Sequence, residues 1–370
     1  MTPLVPPTTV VTPRVALVHE WLVTWGGSES VLQSLAHVYP GAPLHTLLAK
    51  PEARTRQALG HLDIRTTWLD KLPAIRRLYR LALPVMPRAW RTHDLSGYDV
   101  VLTSSHSMAK SVRVPNGLHI CYCHSPPRYL WDLNEEYRAG GAALLRGRIL
   151  DRLRRQDLEA AAGVDAFVAN SHFVAERIRR IYGRRAEVVY PPVDVDDFHV
   201  GAGAGTHWLA GGRLVAYKRI DRAVRAANVI GLPLVVFGDG PERARLEALA
   251  GPTVRFTGAV DHEALRALLR DARGFVFPGI EDFGILPVEA QAAGKPVVAL
   301  NRGGARETVV AGETGVLYDE DTVEGLAAAW LRADGSAWDA DACRTNALRF
   351  SRDRFEHEMR AVVERERARR

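Results

Sequence analysis

Glu281 and Glu289 stand with seven residues between them in the stretch FPGIEDFGILPVEAQAAG, residues 277–294. Gly284 can take a backbone angle closed to other residues, and Pro287 suits a first helical position. Glu281 then lies on a glycine loop beside Phe283, and Glu289 lies in the first turns of the helix that follows. The free backbone N–H groups of Gly284, Ile285 and Leu286 fall between the two acids, and such a helix start attracts phosphate through its donors and its dipole. Sugar hydroxyls flanking a diphosphate would satisfy both carboxylates. A surface helix carrying ordinary glutamates would show the same pair, so the rest of the chain decides between the two readings.

Cations occur where such a ligand needs them. Gly211-Gly212-Arg213-Leu214-Val215-Ala216-Tyr217-Lys218 follows a short apolar run and places Arg213 and Lys218 in a strand-to-helix loop. A guanidinium fork and an ammonium are what a diphosphate leaving group needs where no metal absorbs its charge, although each alone reads equally as a surface cation. Phe237-Gly238-Asp239-Gly240 and Asn301-Arg302-Gly303-Gly304 add glycine loops at further strand ends, giving several loops around one crevice. In the first half, Leu118 to Tyr122 delivers His124 at the carboxyl end of a strand, where ligands of open α/β sheets collect. Its neutral ring donates or accepts near pH 7, and a structural histidine bonded within its loop is the plainer alternative. Gly26-Gly27 opens a helix in the same half. It reads either as a close approach for a ligand or as a tight packing turn.

These residues need a scaffold that repeats strand, loop and helix. Apolar runs at Arg14–Val18, Tyr98–Thr103, Leu118–Tyr122, Val164–Ala169 and Ala186–Tyr190 predict strands in the first half. In the second half the runs lie at His207–Ala210, Pro233–Phe237, Val254–Phe256, Gly274–Phe277, Pro296–Ala299 and Gly315–Leu317. Amphipathic helices fill the gaps. Ser171 caps the helix through Tyr182, and 350–370 is a final charged helix. This alternation predicts doubly wound parallel sheets in an α/β protein. Periodicity stops in PPVDVDDFHVGAGAG, so the chain divides into a lead at 1–13, a domain at 14–190, a hinge at 191–205, a domain at 206–340 and a C-terminal helical segment at 341–370. Asp194, Asp196 and Asp197 in the hinge suit a hard cation but are read as linker turn acids.

With 370 residues, 47% of them hydrophobic, the chain can bury two cores. It has no apolar run of about 18 residues and no signal-peptide pattern, which leads to the expectation of a cytoplasmic protein. Three cysteines, Cys121, Cys123 and Cys343, lack zinc spacing and read as free buried thiols. The net charge of +6 suits an anionic ligand or an anionic membrane surface. No nucleic-acid motif accompanies it, so nucleic acid is not expected as a partner. The stretch 68–91 mixes Leu, Trp and Tyr with Lys71, Arg76, Arg77, Arg80, Arg88 and Arg91, as a surface segment on an anionic bilayer would. A packed helix with a basic outer face has the same composition.

GRLVAYKRID, VVFGDGPE, FPGIEDFGILPVEAQAAGKPVVA and GGARETV with GETGVLY resemble the donor-binding half of the retaining GT-B glycosyltransferases of family GT4. GGSE and CHSPPRYLWD extend the likeness into the first half, in the forms of bacterial O-antigen and polysaccharide mannosyltransferases. The resemblance implies two Rossmann-like domains facing a central cleft, the second holding a sugar nucleotide, the first an acceptor, with the last helix crossing back to the first. It implies that Glu281 contacts the donor sugar and Glu289 the ribose, while the amides near Phe283, Gly284, Ile285 and Leu286 meet sugar and phosphate. Arg213 and Lys218 match the family's diphosphate cations, His124 its cleft histidine, and Gly26-Gly27 its N-terminal glycine loop. Gly238 joins the donor loops. Where many relatives carry a serine and a second acid before the EDFG segment, this chain has Pro278-Gly279-Ile280.

The expected reaction is a retaining transfer of a hexose, mannose from GDP-mannose, to a hydroxyl of a lipid-linked or growing polysaccharide, without an essential metal or other cofactor. Peripheral contact with the inner face of an anionic cell membrane goes with it. Three rivals share these features: a UDP-sugar-dependent transferase of the same family, a GT-B sugar-nucleotide epimerase, and a catalytically silent sugar-nucleotide-binding subunit.

Overall fold

The computed structural model describes residues 13–132, 143–201 and 205–370, without the side chains of Arg76, Arg80 and residues 143–146. The rest of the expected lead, part of the expected hinge and those two arginine side chains lie outside the described residues. The chain divides into two compact units. One comprises Met1–Val168, Ile178–Ala186 and Arg360–Arg370, the other Ala169–Arg177 and Glu187–Met359.

The first sheet contains β1 (Val15–His19), β2 (Leu44–Thr46), β3 (Ile64–Thr66), β4 (Val100–Ser105), β5 (Leu118–Cys123), β6 (Ala166–Ala169) and β7 (Ala186–Val188), ordered β3-β2-β1-β4-β5-β6-β7. The second contains β8 (Trp208–Gly211), β9 (Leu234–Phe237), β10 (Val254–Gly258), β11 (Gly274–Phe277), β12 (Val297–Leu300) and β13 (Gly315–Tyr318), ordered β10-β9-β8-β11-β12-β13. Both orders run outward from one strand and then reverse. The reversal places a switch point between β1 and β4 and another between β8 and β11, where the loops leaving adjacent strands diverge and open a crevice.

The apolar runs are continuous because these strands are covered on both faces. Trp208, Ala210, Val236, Val276, Val298 and Leu300 pack into one core of the second unit. Their neighbours Leu209, Phe237, Phe275, Phe277, Val297 and Ala299 pack into another. The register of the first sheet sets Val15 beside Val100 and His19 beside Ser104, and Ser105 beside Cys123. Polar residues at the ends of three strands are thereby drawn together.

Several sequence expectations change in detail. β2 and β3 were not anticipated from the sequence; each is three residues long. The stretch 68–91 is a series of short helices, Trp68–Lys71, Ile75–Leu78, Tyr79–Ala82 and Met86–Trp90, with Pro73 and Pro84 in the breaks between them and Pro87 in the first turn of the last. The hinge acids have protein partners: Asp194 pairs with Arg352 at 2.7 Å and Asp196 with Arg344 at 3.6 Å, while Asp197 Oδ2 lies within hydrogen-bond distance of His262 Nε2, at 3.0 Å. All three cysteines are free and buried, as expected. Ser171 accepts from the amide of Val174 at 3.1 Å, as a cap should.

Two buried carboxylates fix the loops of the first unit. Glu20, fully buried after β1, accepts from Ser105 Oγ and from the amides of His106, Ser107, Met108 and Ala109 at 2.7 to 3.2 Å. Five donors around one carboxylate replace the water it loses and lock the chain as it leaves β4. Asp157 meets the buried ammonium of Lys110 at 2.5 Å and accepts from Trp131 Nε1 and Tyr182 Oη, both at 2.9 Å. Burial pulls the Lys110 ammonium down, but the Asp157 charge and hydrogen bond hold it above its usual value. Lys110→Met leaves Asp157 buried without its counter-charge. The expected loss is about 3–5 kcal/mol, read from the denaturant midpoint.

Candidate active site

The second unit assembles its charged loops at the β8/β11 switch point. β8 ends at Gly211, Gly212 follows it, and a one-turn helix Ala216–Lys218 presents the lysine. Lys218 Nζ lies 2.9 Å from Glu281 Oε1, with both side chains largely covered. Burial pulls the Lys218 ammonium down, yet the charge and hydrogen bond of Glu281 raise it above its usual value, with Glu289 adding in the same direction. Lys218, Glu281 and Glu289 therefore form one electrostatic group. Arg213, also in this loop, is exposed and forms no ion pair among the described residues.

The helix carrying Glu289 spans Ile285–Ala292. It starts two residues before Pro287, because Gly284 at φ 89° turns the chain into the helix. Pro287 is then the third helical residue, where a missing N–H still costs no intrahelical bond. Phe283 is buried against Tyr190 and Phe350, with ring centroids 5.8 and 5.4 Å away. Its side chain is thus a core residue, and only its backbone is left for a ligand. Ile280 likewise packs on one of the sheet cores.

Glycines let these loops interlock. A Cβ on Gly238 would stand 1.8 Å from the Gly212 carbonyl oxygen, and one on Gly279 would stand 2.9 Å from Lys218 Cα. One on Gly304 would stand 2.3 Å from Phe283 Cα. The Gly238 amide donates to Gly258 O at 2.7 Å, so this glycine shapes the site by packing and its N–H is already committed. A Cβ on Gly212 would meet Lys218 Nζ and Leu286 Cδ1, each at 3.1 Å, which places the lysine against the start of the Ile285–Ala292 helix.

The first unit gathers a different set at the β1/β4 switch point. His124, half-buried after β5, has Nε2 2.8 Å from Ser104 Oγ. Ser104 Oγ lies 3.1 Å from His19 Nδ1, and His19 Nε2 lies 3.4 Å from Glu29 Oε1. Glu29 Oε2 accepts from Ser28 Oγ at 2.9 Å. Gly26 precedes the helix Gly27–Val38, and a Cβ there would come within 3.3 Å of Glu29 Oε2. The His106 ring centroid lies 6.2 Å from that of His124 and 6.3 Å from that of His19. Burial lowers the His124 pKa well below its usual range, and His106 and His19 lower it further. Burial also lowers His106, against the pull of Glu20.

Sequence reading placed His124, Gly26 and Gly27 here but missed His19, Glu29, Ser104 and His106. Their one legible signal is position, since each follows or ends a strand at the sheet reversal or opens the adjoining helix. Among the described residues no group of three or more His, Cys, Asp or Glu side chains is arranged to hold a metal ion. No described helix is long and apolar enough to cross a membrane.

Residues 25–197 match the family Glycosyltransferase Family 4, and residues 208–335 match Glycosyl transferases group 1. The chain is 40% identical over 114 residues to a GDP-mannose-dependent alpha-mannosyltransferase of Mycolicibacterium smegmatis, covering 30% of each. It is 38% identical over 130 residues to a glycogen synthase of Mycobacterium tuberculosis, covering 32% of this chain and 31% of that one. A third relative, from the same species, is a GDP-mannose-dependent alpha-(1-6)-phosphatidylinositol dimannoside mannosyltransferase. It is 31% identical over 198 residues, covering 47% of this chain and 52% of its own. The matched segments thus span about a third to half of these relatives' lengths. Among solved structures, Anabaena HepE in complex with UDP and glucose superposes with a TM-score of 0.71 over 95% of this chain and 100% of its own, at 19% identity.

Proposed function

Because the chain belongs to the glycosyltransferases of family 4 and has the GT-B fold, we propose that it is a retaining hexosyltransferase. It moves mannose from GDP-mannose to a hydroxyl of a lipid-linked or growing polysaccharide. The observation that carries this reading is the Lys218–Glu281 pair, 2.9 Å apart beside the glycine-turned start of the Ile285–Ala292 helix. An ammonium, an exposed guanidinium at Arg213 and free helix amides are matched to a leaving diphosphate, and two carboxylates are matched to sugar hydroxyls.

The charges also order the steps. Before donor binds, Glu281 neutralises Lys218. A diphosphate arriving at the helix start takes over the ammonium and frees Glu281 to accept from the hexose. As the anomeric C–O bond breaks, negative charge grows on the diphosphate, and Lys218, Arg213 and the amides of Gly284 to Leu286 stabilise it. The acceptor oxygen attacks from the face the phosphate leaves, and its proton passes to a phosphate oxygen. No metal is required by this scheme.

A thermal-shift panel of GDP, UDP, ADP, GDP-mannose, UDP-glucose and UDP-N-acetylglucosamine, with and without EDTA, tests the donor. Selective stabilisation by GDP and GDP-mannose, unchanged by EDTA, is expected. A UDP-selective shift would replace the donor and keep the site, whereas no shift with any nucleotide would favour a silent subunit. Conversion of the donor to an epimeric sugar without any acceptor would point to an epimerase.

The acceptor reading extends to a membrane. The segment 68–91 exposes Trp68, Leu72, Leu78, Leu81 and Val85 together with Lys71, Arg77, Arg88 and Arg91. Flotation with anionic liposomes is expected and should decline with salt as charges are screened. Absent or salt-insensitive flotation would remove the membrane from the proposal.

A further inference from the structure

We infer that Glu307, together with Ser171, is a positioning residue for Glu281: it closes a frame that holds the backbone from Glu281 to Phe283 in place. The role in transfer rests on the reading of the chain as a glycosyltransferase, whereas the frame itself is a property of the free protein.

Glu281, Asp282 and Phe283 lie in the loop between β11 and the helix Ile285–Ala292. Each is gripped by a different element. The Gly304 amide donates to Glu281 O at 2.9 Å. The Ser171 hydroxyl donates to Asp282 O at 2.6 Å. The Phe283 ring packs between Tyr190 and Phe350, as described above. Peptide units are planar, so holding two successive carbonyls restrains the torsions of Asp282 between them, and with them the point from which the Glu281 side chain leaves the backbone.

The three grips converge on Glu307, and all of these residues belong to the second unit. Glu307 lies in the short helix Ala305–Thr308 that follows Gly304, and the amides of Glu307 and Thr308 donate back to Gly304 O at 2.9 and 3.1 Å. Its carboxylate takes the first two amides of the helix His172–Tyr182: Oε2 accepts from His172 at 2.8 Å and Oε1 from Phe173 at 2.9 Å. Those amides have no partner within their own helix, and the helix dipole favours an anion there. Ser171, fully buried, is thereby fixed one residue ahead of them. Its single hydroxyl proton has Asn170 Oδ1 at 3.0 Å as the longer alternative, and the Asp282 carbonyl is closer. Glu307 also reaches the third grip. Burial, then the charge and hydrogen bond of Glu307, push the Tyr190 hydroxyl up to about 12, and Tyr190 is the ring beside Phe283.

In the proposed steps Glu281 leaves Lys218 for a hexose hydroxyl. A side chain that changes partner keeps its aim only where its backbone stays in place, and small misplacements of reacting groups are costly. Glu307 and Ser171 touch no substrate in this reading and act through Glu281. A glutamine at 307 presents one oxygen and one NH2, so one of the two helix amides loses its acceptor.

Amide hydrogen exchange is followed by NMR in the full-length protein without substrate, with the Val297 amide, which donates to Thr314 O at 3.0 Å, as the internal reference. In Glu307→Gln the Gly304 amide is expected to exchange about tenfold faster relative to Val297, although the substitution removes no partner of Gly304 itself. Ser171→Ala, the second variant, should do the same through Asp282. GDP release from GDP-mannose, with octyl mannoside as the hydroxyl acceptor, should fall about tenfold in kcat in each variant, with GDP affinity within about threefold of wild type. In a Glu281→Gln background neither substitution should lower kcat by more than about twofold, because the carboxylate they position is already gone. A wild-type ratio of Gly304 to Val297 exchange in both variants overturns the frame. Equal kcat losses with and without Glu281 overturn the positioning role, and so does a lowered melting temperature at unchanged kcat. Nucleotide binding is measured apart, so accelerated Gly304 exchange in a protein that binds no sugar nucleotide would remove the transfer reading and leave the frame standing.

Discussion

Glu281→Gln is expected to lower kcat by about 100-fold or more while leaving GDP affinity within about threefold of wild type. Glutamine keeps the volume of the side chain and loses its charge. In the free protein that charge is held by Lys218 at 2.9 Å, so the substitution releases the ammonium for the diphosphate and should not weaken nucleotide binding. On the proposed reading, what disappears is the carboxylate that would accept from the hexose as positive character develops at its anomeric carbon. Steady-state kinetics with GDP-mannose, together with GDP titration by calorimetry, separate the two effects. A parallel loss of GDP affinity would mean that Glu281 belongs to the nucleotide contacts. A raised KM with unchanged kcat would make it a ground-state binder.

Lys218→Ala should act on both quantities. Removing one preorganised donor from the site of developing charge costs about 10²- to 10³-fold in kcat, and GDP should bind more weakly because its diphosphate loses a cation. The substitution also leaves Glu281 largely covered and without its ammonium. Glu281→Gln combined with Lys218→Ala should therefore cost less in melting temperature than the two single losses added, as coupled neighbours do. Additive losses would show that the 2.9 Å pair is not an energetic unit. The ammonium's raised pKa gives the pair a pH signature. Its contribution to stability is complete below pH 10.5 and is lost as pH rises through the higher value of the folded state.

The second unit was legible because its chemistry is local. Glu281, Gly284 and Glu289 lie in one loop and helix, and Lys218 lies in another loop of a strand that the apolar runs had already marked. The fold was legible for a related reason: strands buried on both faces leave unbroken apolar runs, whereas β2 and β3, at three residues each, leave almost none. The hydrogen-bonded series of the first unit was not legible. His19 and Ser104 stand 85 residues apart in sequence and meet only because the parallel register pairs them. Sequence also does not tell a glycine whose amide is open from one whose amide is spent, which is why Gly238 reads as a ligand contact and is found bonded to Gly258. The same limit applies to Phe283, whose aromatic ring belongs to the core.

The interlocked glycines also govern how donor preference can be re-engineered. Backbone from one loop fills the space where a side chain of the next would begin, down to 1.8 Å between a Gly238 Cβ and the Gly212 oxygen. Substitutions at these glycines are therefore expected to disturb the frame before they alter selectivity. A focused library should hold Gly212, Gly238, Gly279 and Gly304 constant and vary Tyr217, Ile285 and Leu286, whose side chains remain partly open to solvent around that frame. Selectivity is then searched where the scaffold has room to tolerate change.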